Sequence, residues 1–162
     1  MNGVALRPLG VPLAVAAAAA VVVAGAGGAL TDLGPWYYGL RQPPWKPPDW
    51  LFGPAWTTIF ALTAVAGAQA WRRIADPARR RRVLALFAVN GVLNVLWSVL
   101  FFRLQRPDWA LVEVVLLWLS IVALIVTLVP HWRPAGWLLA PYLLWVSFAA
   151  TVNAAVVYLN RG

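Results

Sequence analysis

The sequence predicts an all-α membrane protein, a single domain over residues 1–162 built as a bundle of five transmembrane helices. Two observations carry the prediction. Hydrophobic residues make up 62% of the chain and charged residues only 11%, against roughly 25% charged residues in a soluble domain. The apolar residues also gather in five continuous runs of about 20 residues, the length of a helix that crosses the hydrocarbon core. Continuous runs replace the alternation that a membrane β-strand needs.

The first run spans residues 11–30. Arg7, the apolar stretch and Ala24-Gly25-Ala26 also fit a cleaved signal peptide, but the stretch is longer than a usual signal core. Gly25, Gly27 and Gly28 fit close helix contact. The second run covers 51–71, the third 83–102, the fourth 109–129 and the fifth 137–158. Short connections make neighbouring helices antiparallel. Pro134 and Pro141 fall near the start of the fifth, where proline is tolerated.

Charge orients the bundle. WRRIADPARRRR joins the second and third runs, and with Arg7 and Arg133 it gathers most of the arginines at one end. The positive-inside rule puts that end and the amino terminus in the cytoplasm of a bacterial cell. The net charge of +8 is then a matter of topology and anionic lipid headgroups, with no nucleic acid implied.

Conventional catalysis has little material. There is no cysteine, and the one histidine, His131, falls in a short loop. No metal cluster, haem ligand pair, phosphate-binding glycine motif or nucleophile elbow is present, so no cofactor is expected. Four of the five carboxylates lie in loops. The fifth, Glu113, sits one turn into the fourth run. It is expected to reach the interface or pair with Arg103 or Arg106; the other reading is a functional acid.

Amides mark the third and fifth runs. Asn90, Asn94 and Ser98 recur every four residues with Trp97 beside them, and so share a face. They read equally as interhelical hydrogen bonds and as the polar floor of a cavity. Trp145, Ala149 and Asn153 repeat the spacing, with the small residue leaving room between an aromatic and an amide.

Tryptophan is the compositional anomaly, with eleven in the chain. An interfacial belt accounts for Trp71, Trp109, Trp132 and Trp137. It accounts less well for Trp45 and Trp50 in WYYGLRQPPWKPPDWLFGPAW, where prolines stiffen the chain. The stretch reads as a semi-extended connector holding aromatic faces over the bundle mouth, ready to stack on a flat ligand.

The stretch from Trp36 to Thr57, W-Y-x-x-L-x-x-P-x-W-x-P-P-x-W-x-F-x-x-x-W-T, resembles the signature of the translocator protein family, also called tryptophan-rich sensory protein or TspO/MBR. The set Asn94, Trp97, Ser98, Phe101 and Phe102 resembles it too, as does P-Y-L-L-W-x-x-F-A-x-x-x-N from Pro141 to Asn153. The resemblance implies a five-helix, usually homodimeric protein whose cavity is closed by the loop after the first helix. It implies ligands that are porphyrins such as protoporphyrin IX, cholesterol-like sterols and synthetic isoquinoline carboxamide or benzodiazepine-type compounds. Carried over to the cavity are Trp45, Trp50, Phe52 and Trp56, then Asn94 and Trp97, then Trp145, Phe148 and Ala149, with Trp109 near the ligand.

Three positions depart from the family pattern. A basic residue is common where Gln42 stands, an aromatic where Pro44 stands, and a tyrosine where Phe60 stands. Val157–Arg161 fits a loose cholesterol pattern, though interfacial anchoring explains it better. The expected function is a membrane receptor or transporter for porphyrins, and for sterols, with a stress or light regulatory role. Light-dependent breakdown of porphyrin and a scaffold acting through the arginine-rich loop are the alternatives.

Overall fold

A computed structural model describes residues 8–161, so Arg7 lies outside the described residues. Five helices are long and apolar enough to cross a membrane. They are α1 (Gly10–Leu30), α3 (Phe52–Trp71), α4 (Pro77–Ser98), α5 (Pro107–Leu128) and α6 (Pro134–Leu159), while α2 (Pro35–Gly39) is a short helix in the connector.

Local chemistry sets the helix ends. Thr31 closes α1, its amide donating to the Gly27 and Gly28 carbonyls. Asp76 caps α4 by accepting from the Ala78 amide at 2.9 Å, and Pro77 fills the first position, where its missing donor costs nothing. Prolines also open α5 and α6. These caps start α4 and α6 at Pro77 and Pro134, before the apolar runs at 83 and 137, because a helix continues where hydropathy stops. Pro141 therefore falls inside α6 rather than near its start. It stays on an exposed face, beside a shallow groove between α3 and α6.

The spanning helices close a ring. α1 packs on α3 and α4, α3 on α6, and α5 fills the place between α4 and α6. Two cation–π contacts bind the arginine-rich end together: the Arg73 guanidinium lies 5.3 Å from the Trp132 ring and that of Arg80 lies 5.5 Å from Trp71. Arg73 also donates to the Gln69 side chain at 2.7 Å, and Arg80 to the Ile74 carbonyl. At this end the interior is solid, with Ala70, Ile74, Val83, Leu128 and Leu139 in one cluster.

The Phe87 ring of α4 reaches the backbone of α3 here because residue 67 is glycine. A methyl group on Gly67 would lie 2.8 Å from Cζ of Phe87. Gly67→Ala is expected to cost about 1–3 kcal/mol through overpacking. Thermal unfolding in detergent checks this, and an unchanged midpoint would mean that the ring moves aside freely.

At the opposite end α4 runs into a π-helical turn, Val99–Arg103. The wider turn lets Trp97 and Phe101 stack with centroids 4.9 Å apart. Such turns recur at functional sites. Arg103 then donates to the Ala29 carbonyl at 2.7 Å, tying this corner to the end of α1.

Candidate functional site

The helices part at the connector end and enclose a cavity of about 560 Å³. Its walls come from the end of α1, the start of α3, the end of α4, Val114 and Leu117 toward the middle of α5, and the second half of α6. α1 contributes Val23, Ala24, Gly27 and Gly28 to the wall and buries no residue of its own.

Helical spacing presents the aromatic lining. Trp56 and Phe60 are one turn apart on α3 and stack at 5.3 Å. Phe52 meets Trp145 edge-on at 5.5 Å. Trp145, Ala149 and Asn153 all line the cavity on one stripe of α6, with the alanine leaving the gap.

Polar groups hold the floor. Tyr142 donates to Asn90 Oδ1 and accepts from Asn94 Nδ2, each at 3.2 Å. Asn90 Nδ2 in turn donates to Ser120 Oγ at 2.8 Å. This chain joins α4, α5 and α6 and satisfies amides that would otherwise be costly to bury. The two readings of the amide stripe divide by position. Asn90 serves packing alone, while Asn94 and Ser98 also face the cavity. Trp97 is fixed by its indole N–H, which donates to Asn153 Oδ1 at 3.2 Å, and Asn153 donates to the Pro107 carbonyl at 2.9 Å.

The connector closes the mouth. It is folded rather than semi-extended: α2, a turn at Pro43–Lys46, and a 3-10 turn at Asp49–Leu51 that leads straight into α3. Tyr37 is its buried anchor. The phenol donates to Asp49 Oδ1 at 2.8 Å and accepts from Lys46 Nζ at 2.8 Å, and Lys46 also bonds Asp49. Gln42 Nε2 reaches the Tyr37 carbonyl at 3.3 Å. Asn160, just past α6, bonds both the amide and the carbonyl of Arg41 at 3.0 Å.

Burial pushes the Tyr37 phenol above its ordinary range, with Asp49 adding to the rise and Lys46 opposing it. Burial alone would depress the Lys46 ammonium, but its hydrogen bonds to Asp49 and Tyr37 outweigh that and raise it. Lys46 is thus a firmly charged group. Its contribution to stability is complete below the ordinary lysine range and fades only as pH rises through the raised value.

Of the residues singled out by sequence, Phe52, Trp56, Asn94, Trp97, Trp145 and Ala149 line the cavity together. Trp45 is 50% exposed and touches Phe148 edge-on at 5.9 Å. Phe148 faces the outer groove between α3 and α6. Trp50 is 72% exposed, and Trp109 is 50% exposed with the Arg106 guanidinium 4.3 Å from its ring. These four do not line the cavity. Sequence reasoning missed Tyr37, Lys46 and Asp49. The signal was a lysine and an aspartate three apart inside the tryptophan-rich stretch.

Glu113 departs from expectation. It neither reaches the interface nor pairs with an arginine: it is 4% exposed and both carboxylate oxygens lack a partner. The arginines are engaged elsewhere, Arg106 with Asp108 in a bidentate pair at 2.5 and 2.8 Å and Arg103 with Ala29.

The chain is similar to known proteins throughout this architecture. It is 41% identical to the tryptophan-rich protein TspO of Chlorobaculum tepidum, over 77% of this chain and 80% of that protein. It is 37% identical to protein CrtK of Rhodobacter capsulatus, over 88% and 89%. It is 33% identical to the human translocator protein, over 78% and 76%. The sequence model of the TspO/MBR family matches residues 14–159, which takes in α1 except its first turn, the connector and the other four spanning helices. With that match over nearly the whole chain, the protein belongs to the TspO/MBR family.

Proposed function

We propose that this multi-pass membrane protein binds flat hydrophobic ligands in its intrabundle cavity, porphyrins such as protoporphyrin IX first and sterols second. The observation that carries the reading is the cavity's chemistry. Its size lies within the range of about 300–1,000 Å³ for small-molecule sites. Indoles and phenyl rings line it, and the Trp145 indole N–H is buried without a partner. Aromatic faces stack on a planar ring system, and the polar groups of Asn94 and Ser98 on the cavity wall give such a ligand an orientation. The names of relatives, translocator protein and tryptophan-rich sensory protein, are consistent with a ligand-responsive role in stress or light regulation. The arginine-rich end faces the cytoplasm of a bacterial cell in this reading.

Titration with protoporphyrin IX, followed by quenching of tryptophan fluorescence, tests it. Trp145→Phe and Asn94→Ala are each expected to weaken binding about three- to tenfold, the worth of one hydrogen bond. Unchanged affinity in both would sink the pocket. Trp56, Trp97 and Trp145 around one cavity also favour a second reading, light-driven oxidation of bound porphyrin. The same titration under illumination checks it: the Soret band should fade faster than with an inert membrane protein.

A further inference from the structure

We infer that Lys46 receives the acidic end of the ligand, so that the cavity takes flat amphiphiles carrying a carboxylate at one edge, docked with that edge at the mouth. The inference rests on the cavity-binding reading above and adds its orientation and selectivity.

Among the described residues Lys46 is the one cation that lines the cavity, and Asp49 the one carboxylate. The other basic groups at this end do not line it: Arg103 is tied to Ala29, and Arg106 to Asp108. The cavity is therefore polarised, with a charged cluster at the mouth, neutral amides and Ser98 deeper in, and apolar walls between.

An ammonium has three N–H donors. Lys46 directs two of them to Asp49 and to the Tyr37 hydroxyl, and the third has no protein acceptor on a residue that lines the cavity. The head group is held in place by the folded turns on both sides of it and by contacts over the Tyr37 and Phe52 rings, at 5.1 and 5.8 Å. A cationic ligand is disfavoured. Asp49 Oδ1 already accepts from both Lys46 and Tyr37, so a second cation would lie against the ammonium. Asp49 thus both positions Lys46 and offsets its charge, and the two residues should act on an anionic ligand in opposite directions.

That opposition is the test. Protoporphyrin IX and its dimethyl ester, which lacks the acidic groups, are titrated against the purified full chain and its variants. The wild type is expected to favour the free acid by about tenfold, as a charge-assisted hydrogen bond supplies. Lys46→Met should bring the ratio of the two affinities to about one, whatever it does to ester affinity itself, and Lys46→Arg should restore the preference for the free acid. Asp49→Asn should widen the preference severalfold. A wild type that binds both ligands equally would overturn the inference while leaving the cavity reading intact. So would Lys46→Met and Asp49→Asn weakening both ligands in parallel, the result of a purely structural strut between the connector and α3. If the wild type bound neither ligand, the proposed function would fail and this inference with it.

Discussion

Ala149→Phe is expected to lower protoporphyrin affinity by more than tenfold, about 1.4 kcal/mol or more, with no loss of thermal stability. Ala149 sits one turn from Trp145 and one from Asn153 on the stripe of α6 that faces the cavity. A phenyl ring there enters open space that a ligand would fill, so binding pays for the substitution and folding does not. Overpacking a closed core would cost about 1–3 kcal/mol, whereas filling a cavity restores lost contacts. The melting midpoint should hold steady or rise. Trp50→Ala is the matched control, since Trp50 lies outside the cavity and is largely exposed. Affinity that survived in Ala149→Phe but fell in Trp50→Ala would move the binding site out of the bundle and onto the connector.

The contrast between those two residues shows what the sequence could carry. The bundle was legible because a spanning helix must be long and apolar, and a run of that length has few other uses. The α6 stripe was legible for a similar reason: residues four apart share a face whatever the tertiary structure does. Spacing does not say which face looks inward: Phe148 borders the outer groove alone, while Trp145 borders both that groove and the cavity. The connector had no period to read. Lys46 and Asp49 are nine and twelve residues from the Tyr37 phenol, and the three meet only because two turns fold the chain back. Tryptophans drew attention there through their rarity, yet the polar trio fastens the mouth. The π turn at Val99–Arg103 was equally silent, since its apolar residues suit an ordinary helix as well.

Glu113→Leu is expected to stabilise the protein by about 1–3 kcal/mol, the usual penalty of a buried polar group left without a partner. Sequence proximity suggested Arg103 or Arg106 as counterions, but geometry gives both arginines other acceptors. Glu113 instead lies on the buried face of α5 beside Ala110 and Val114, which pack in two of the hydrophobic clusters. A carboxyl group there is dehydrated without compensation, and leucine of similar volume would remove the penalty and add apolar contact. Glu113→Gln keeps a polar head and removes only the capacity for charge, so its stability should fall between the other two. Thermal unfolding in one detergent at fixed pH orders the three proteins. A leucine variant less stable than wild type would mean that the carboxyl group has a hydrogen-bonded role in the bundle, and the account of Glu113 as an uncompensated acid would be wrong. Because Glu113 does not line the cavity, porphyrin affinity should stay unchanged across the series. A fall in affinity with rising stability would instead reveal an acid kept for function at the expense of the fold, the trade that an ionisable group inside a membrane usually signals.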